Sequence, residues 1–392
     1  MKNKKGFWQG ALCGALAMLL VAGLVSCGLK LNIGGSNVDM DSVEEKLETI
    51  KYLIDEKYLG DVDEEALEQG IYEGYVNGLD DPYSVYYDEE DTQALLESTS
   101  GEYSGIGAVL TQDLDTGIIT LVRIYDESPA MKAGLEDNDI LYKVGEMEVT
   151  GKDLSEVVTY IKGEKGTEVE LPVLRGDQNE EITVTTVRDT IEVETVEYEM
   201  LENNIGYIAV TEFDTVTYEQ YEAALADLES QGMESLVVDL RGNPGGSLET
   251  VCNMLDLMLP EGMIVYTEDK DGNRDKHKSD EAHQFTKPLT VLVNQYSASA
   301  SEIYAGAIQD YGIGEIVGTQ TYGKGVVQQL FDLKDGTCLK ITVSEYFTPN
   351  GRNIHGEGIA PDVVCEYEYD ENNPEADNQL NEAVKVLKEK MK

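Results

Sequence analysis

The sequence predicts a multidomain α/β chain: a short helical N-terminal region, a small mainly β domain, and an α/β core built on mostly parallel strands. Three observations predict it. At 392 residues the chain is longer than one compact core organises. Its texture changes twice, to short strands punctuated by glycine near residue 100 and to apolar strands alternating with amphipathic helices near 195. With 41% hydrophobic and 27% charged residues, the composition is globular, not fibrous or disordered.

The first residues stand apart. Lys2, Lys4 and Lys5 precede an apolar run from Phe7 to Cys27, the arrangement of an export signal. The run is long enough to span a bilayer, and Leu24-Val25-Ser26-Cys27 has the form of a bacterial lipobox. A spanning anchor, a lipoprotein modified at Cys27 and a simply cleaved signal are all open. Each places the later residues outside the cytoplasm, and the first two attach them to the bacterial cell membrane. Cys252, Cys338 and Cys365 are too widely spaced for a disulfide framework or a zinc motif, so they are expected as free thiols. The charge, 29 Lys+Arg against 77 Asp+Glu or −48, repels phosphate and excludes nucleic acid as a partner.

Residues 1–30 are thus a leader, and 28–40 read as a Gly/Asn/Ser linker. Val43, Leu47, Ile50 and Ile54, then Leu67, Ile71, Tyr75 and Leu79, recur at helical spacing. Two acidic amphipathic helices are expected, stopped at Pro82. Their core is too small to stand alone, so they pack on the main body or join two copies of the chain as a homodimer. Linker and helices make up residues 31–98.

Residues 99–190 are the small β domain. Gly105–Leu110 and Ile118–Ile124 are strands, Ser128–Leu135 a short helix, and Asp139–Val144 a strand turning at Gly145. Leu154–Ile161 is a helix ending at Gly163, and Glu168–Arg175 pairs with Ile182–Arg188. In the core, 191–370, strands are expected at Ile205–Val210, Leu236–Leu240, Met263–Thr267, Leu289–Asn294 and Ile316–Gly318. Helices lie between them at 218–228, 248–259 and 300–311. A charged helix closes the chain within 371–392.

The chemistry concentrates where these strands end. Asn294-Gln295-Tyr296-Ser297-Ala298-Ser299-Ala300-Ser301-Glu302 leaves a buried strand and enters a helix, where open α/β sheets place their sites and a helix N-terminus is electropositive. The bland alternative is a helix cap, since Ser299 and Glu302 have capping-box spacing. In Tyr322-Gly323-Lys324-Gly325-Val326-Val327-Gln328, a lysine between glycines heads a valine-rich strand. Alternation along a strand would turn Lys324, Val326 and Gln328 the same way. Beside a serine in an apolar pocket, Lys324 would lose part of its hydration, have its pKa depressed and take the serine proton. Gln328 would orient it. Asp239-Leu240-Arg241-Gly242-Asn243-Pro244-Gly245-Gly246 follows another strand, and its glycines let backbone N–H groups approach a developing oxyanion.

Histidine chemistry is disfavoured. His277 and His283 fall in or beside the hydrophilic stretch 269–281, expected as a surface loop, and His355 reads as structural. Neither a His-Glu-x-x-His motif nor a Cys/His cluster occurs, so no metal and no cofactor is expected.

Taken in order, Leu79–Ser84, Ile205-Gly206-Tyr207-Ile208, Asp239-Leu240-Arg241, Ser297–Ile303, Gly323-Lys324-Gly325, Thr348–Arg352 and Gly358–Asp362 resemble the bacterial carboxy-terminal processing (tail-specific) serine proteases. The resemblance covers nearly everything after the leader. It implies a ClpP/crotonase-like protease core with Ser299 as nucleophile, Lys324 as base, Gln328 as its support, and oxyanion donors at Ala300 and at Gly245 or Gly246. The β domain resembles a PDZ domain, which implies binding of substrate carboxy termini at Gly105-Ile106-Gly107-Ala108. Two departures touch no catalytic position: Asn138-Asp139 stands where Gly-Asp is usual, and Asp81 is an extra residue. Some relatives couple the PDZ domain to the active site through an arginine, for which Arg175 is the candidate. The implied activity is endopeptidase action on proteins with free apolar carboxy termini, gated by the PDZ domain. The alternatives are a non-catalytic PDZ adaptor, against which intact Ser299, Lys324 and Gln328 count, and a small-ester hydrolase, which leaves the PDZ region unexplained.

Overall fold

A computed structural model describes residues 38–391 apart from 177, 281, 374 and 375. The leader, with Cys13 and Cys27, lies outside the described residues. Among those described, no helix is long and apolar enough to cross a membrane. The chain divides into two compact units after Ala66.

Helix α1 (Met40–Lys57) has Asp41 in its first turn and Lys57 in its last, each complementing the helix dipole. Helix α2 (Glu64–Asn77) likewise buries none of its residues. Its Tyr72 ring meets Tyr86 of β1 (Val85–Tyr87) at 5.4 Å. Sequence reasoning missed α3 (Glu89–Ser100), which starts at the Asp88 cap and stops at left-handed Gly101, φ +72°.

The β domain has a core of its own, with Ile106, Ile119, Leu121, Leu141, Val157, Ile161, Leu171 and Val173. Strands β2 (Glu102–Gly105), β3 (Ala108–Gln112), β4 (Ile119–Ile124) and the five-residue helix α4 (Pro129–Ala133) come first. The expected first strand is therefore two, broken at Gly107, φ +75°, where a Cβ would lie 2.5 Å from Ser128. Short strands β5 (Ile140–Leu141), β6 (Lys143–Val144) and β7 (Met147–Glu148) precede helix α5 (Leu154–Ile161). Strands β8 (Glu168–Arg175) and β9 (Glu180–Val187) form the expected hairpin, and β10 (Asp189–Glu192) pairs with β2. Asn138 takes φ +70°, a conformation asparagine tolerates, which accounts for its replacing glycine.

The protease-like body starts with β11 (Val196–Leu201), β12 (Ile205–Val210), α6 (Thr217–Ser230), β13 (Ser235–Asp239) and α7 (Leu248–Asp256). A hairpin, β14 (Gly262–Asp269) and β15 (Arg274–Ser279), leads to β16 (Leu289–Val293), α8 (Ala300–Tyr311) and β17 (Glu315–Gly318). Then come β18 (Val326–Asp332), β19 (Cys338–Phe347), β20 (Val363–Val364) and α9 (Asn378–Lys390). Six strands form one sheet in the order β11-β12-β13-β16-β17-β20, parallel except for β11. Both β13 and β16 are buried throughout, so they read as unbroken apolar runs. One face packs Ile208, Val238 and Val291 against Tyr221, Leu255 and Tyr304 of α6, α7 and α8. The other packs Val237, Leu292 and Val317 against Ala383 and Leu387 of α9.

Two expectations are corrected. The strand around Met263–Thr267 is not in the parallel sheet; β14 belongs to a second sheet, antiparallel to both β15 and β19. The hydrophilic stretch carrying His277 is the edge strand β15. Its Arg274, Lys276 and Lys278 hide any apolar alternation and guard the edge.

Candidate active site

Ser299 sits between β16 and α8 with φ +54° and ψ −111°, a strained conformation for a residue with a Cβ. Its neighbours impose it. Ser297 is buried, donating to the Leu240 carbonyl at 2.7 Å and accepting from the Asn294 N–H at 2.9 Å. Ser301 is buried and donates to the Asn243 carbonyl at 3.0 Å. These two serines anchor the turn, while Ser299 lines a cavity of about 410 Å³.

The capping reading is half of a larger arrangement. Glu302 is fully buried, and one carboxylate oxygen accepts from the N–H groups of Ser299 and Lys324, each at 2.9 Å. The other accepts from the Gly323 N–H at 2.7 Å and the Thr321 hydroxyl at 2.6 Å. On the carbonyl side, the buried Tyr346 hydroxyl reaches Ser299 O at 3.0 Å and also contacts Lys324 O. Two side chains from α8 and β19 thus hold the main chain of both residues.

Lys324 lies just ahead of β18 and lines the same cavity. Burial, reinforced by the positive charge of Lys340 and opposed by Asp81, holds its pKa below the usual lysine value. Its ammonium stands 4.8 Å from the Tyr83 ring. Tyr83 is presented by a turn in which Asp81 accepts from the Tyr83 N–H and the Ser84 hydroxyl, at 3.1 and 2.6 Å. Lys340, in the same cavity, is held by the Tyr87 hydroxyl at 2.6 Å.

Strand alternation does not place Gln328. The β18–β19 register shifts between Val327 and Gln328, and Val326, Val327 and Gln328 all line the cavity. The Gln328 amide donates to the Thr342 hydroxyl at 3.2 Å.

Gly245 and Gly246 border the cavity with φ +108° and +141°. A Cβ on Gly245 would come within 2.8 Å of Ser299 Cβ, so only glycine allows this approach. The Gly245 N–H is given to Asn243 Oδ1 at 2.8 Å. The N–H groups of Gly246 and Ala300 have no partner among the described residues. Of the two glycines, Gly246 therefore has the donor to offer.

The cavity has a wall that sequence reasoning did not supply: Leu95, Ser98 and Thr99 of α3, with Glu212 and Asp214. Helix α3 is too polar to show a helical stripe, and its local signals are limited to a capping Asp88 and a terminating Gly101.

In the β domain, Gly105, Ile106 and Ala108 line a groove of about 150 Å³ with Tyr103, Leu110, Val158, Ile161 and Lys162. The N–H groups of Ile106 and Gly107 have no partner among the described residues, as a carboxylate-binding turn requires. Lys162 lies 4.9 Å from the Tyr103 ring and pairs with Glu97 of α3 at 2.8 Å. Burial disfavours the Glu97 charge, but bonds from Lys162 and Gln93 outweigh it and lower its pKa. Arg175, by contrast, is committed inside its own domain. It binds both oxygens of the buried Asp139 at 2.7 Å, Glu136 at 2.6 Å and the Gly134 carbonyl at 2.8 Å. Arg175 does not line the cavity, whereas Lys162 touches both the PDZ groove and α3.

Comparison with known proteins agrees with this layout. Residues 204–365 match the model of peptidase family S41, 120–188 that of a PDZ domain, and 31–91 that of the activating protease CtpB N-terminal domain. The chain is 36% identical over 358 residues to carboxy-terminal processing protease CtpA of Bacillus subtilis, covering 89% of this chain and 76% of that protein. It is 35% identical over 330 residues to CtpB of the same organism, covering 83% and 68%. A solved photosystem II D1 C-terminal processing protease is 28% identical, with a TM-score of 0.48 over 82% of this chain and 86% of that one. The chain therefore belongs to peptidase family S41, the serine-type carboxy-terminal processing peptidases, and carries a PDZ domain.

Proposed function

We propose that the protein is a cell-envelope endopeptidase that uses a Ser299–Lys324 dyad and selects substrates by their carboxy-terminal tails. The observation that carries this reading is the shared clamp of Glu302 and Tyr346 on both residues, at a cavity where Lys324 is partly desolvated. The neutral Lys324 amine takes the Ser299 proton as Oγ bonds to the scissile carbonyl carbon. The N–H groups of Ala300 and Gly246 receive the oxyanion. The C–N bond then breaks, the leaving amine takes the proton from Lys324, and an acyl ester on Ser299 remains. Water, deprotonated in turn by Lys324, cleaves that ester and regenerates the serine. Gln328 supports the base from the cavity wall.

Gating follows from one contact. The PDZ groove and the cavity share α3, whose Glu97 holds Lys162 while its Leu95, Ser98 and Thr99 face Ser299. A substrate carboxylate seated at Ile106–Gly107 competes with Glu97 for Lys162 and frees α3 to shift. A ligand moves such an equilibrium only by its differential affinity for the two placements. The basic, apolar leader supports attachment to the outer face of the cell membrane, by a spanning helix or a lipid on Cys27.

The test is cleavage of one peptide in two forms, free and amidated at its carboxy terminus, followed by mass spectrometry. The free form is expected to be cut internally and faster. No cleavage of either form by the purified full chain defeats the reading.

A further inference from the structure

We propose that Asp214 forms the base of a cation-binding subsite in the active-site cleft, selecting a Lys or Arg side chain near the scissile bond; this deepens, and rests on, the endopeptidase reading above. Asp214 is 6% exposed, yet its carboxylate has neither a hydrogen-bond nor an ion-pair partner among the described residues; only its main chain is bonded, the N–H to Thr217 Oγ1 at 3.0 Å and the carbonyl accepting from the Thr217 N–H at 3.1 Å. Buried carboxylates nearly always have partners. This one lines the same cavity as Ser299, so the partner can arrive with the substrate.

The local structure fixes Asp214 beside the reacting centre. Phe213 donates to the Gly245 carbonyl at 2.9 Å and accepts from the Ser247 N–H at 2.7 Å, tying the segment to the glycine loop. Thr217 bonds the Glu212 carbonyl at 3.0 Å, so the turn carrying both carboxylates is braced. The last turn of α3 closes over it, the Thr99 carbonyl accepting from the Thr215 N–H at 3.3 Å, so the negative end of a helix faces the site as well. Gly101 follows, where a Cβ would lie 3.0 Å from Asp214 Cβ. Burial, and then the charge of Glu212, push the Asp214 carboxyl up to about 6. The cavity's cations, Lys324 and Lys340, stand at β18 and β19, the second held by Tyr87. The cleft is therefore anionic on the α3 side and cationic on the dyad side, and a cationic side chain fits the former.

The experiment uses peptides of one sequence with a free apolar carboxy terminus, carrying Lys, norleucine or Glu in turn at each position flanking the cut. The kcat/KM values are compared for the wild type, Asp214→Asn and Asp214→Lys. At one flanking position the wild type is expected to prefer Lys to norleucine by about tenfold. Asp214→Asn brings that ratio near one, and Asp214→Lys turns the preference to Glu. A ratio does not depend on how much active enzyme survives the substitution. Absence of any Lys preference in the wild type overturns the subsite, and so does a preference that persists in Asp214→Asn. A wild type that cleaves not even the norleucine peptides overturns the endopeptidase reading, and the subsite with it.

Discussion

The main-chain N–H groups of Ser299 and Lys324 end on the same oxygen of Glu302, each at 2.9 Å, although the two residues lie on separate segments. The serine turn and the lysine loop are thus registered against one buried atom. Glu302→Gln puts an amide N–H where four donors converge. It is expected to lower kcat about 100-fold, as a misplacement of about 1 Å does. Stability should fall by roughly 1–3 kcal/mol for each donor left unpaired. Steady-state kinetics and denaturant unfolding measure the two effects.

Tyr346→Phe removes the hydroxyl that meets the Ser299 and Lys324 carbonyls and leaves the buried ring. We expect a fall of roughly tenfold in kcat with little change in KM, and a loss of about 1 kcal/mol. A change in KM alone would place Tyr346 in substrate binding instead.

Activity should rise with pH as Lys324 loses its proton, because only the neutral amine is a base. Lys340 helps hold that pKa down and Asp81 opposes it. Lys340→Met removes a like charge and moves the rising limb to higher pH. Asp81→Asn removes an opposite charge and moves it to lower pH. A pH–kcat profile on each variant reads the sign, and a limb unmoved by both belongs to another group.

The ion pair between Lys162 and Glu97 gives the coupling a test of its own. Wild type is expected to favour free over amidated tails by about tenfold, which corresponds to about 1.4 kcal/mol. Lys162→Met should reduce that preference to near one. Glu97→Gln should raise basal cleavage of amidated tails, since α3 is then already free. Gly107 is a poor place for this test, because its φ of +75° and a Cβ 2.5 Å from Ser128 would strain the domain. Kinetics on the paired peptides decide it.

How legible this was in the sequence depended on whether a signal was local. Strands β12 and β16 announce themselves as apolar runs, and α8 by the serine turn and Glu302 at its start. The β8–β9 hairpin and α5 followed from alternation and from Gly163. What failed was non-local. Met263–Thr267 reads as a core strand whichever sheet takes it, and β15 has no apolar face to detect. Glu302 was visible as a cap, but its grip on Thr321, Gly323 and Lys324 exists only once the loop after β17 folds back onto α8. The clustering of Tyr83, Asp214 and the β19 residues Lys340 and Tyr346 comes from three distant segments. Strand alternation brought Gln328 to the cavity for the wrong reason, since a bulge intervenes.

Fluorophosphonate labelling followed by peptide mapping tests whether Ser299 is a nucleophile activated by Lys324. One adduct is expected, on Ser299, forming faster as pH rises and lost in Lys324→Ala while the fold persists. Ser297 and Ser301 should stay unlabelled, because both hydroxyls are buried and bonded to carbonyls. An adduct on either of them, or full labelling of Ser299 in Lys324→Ala, would contradict that role.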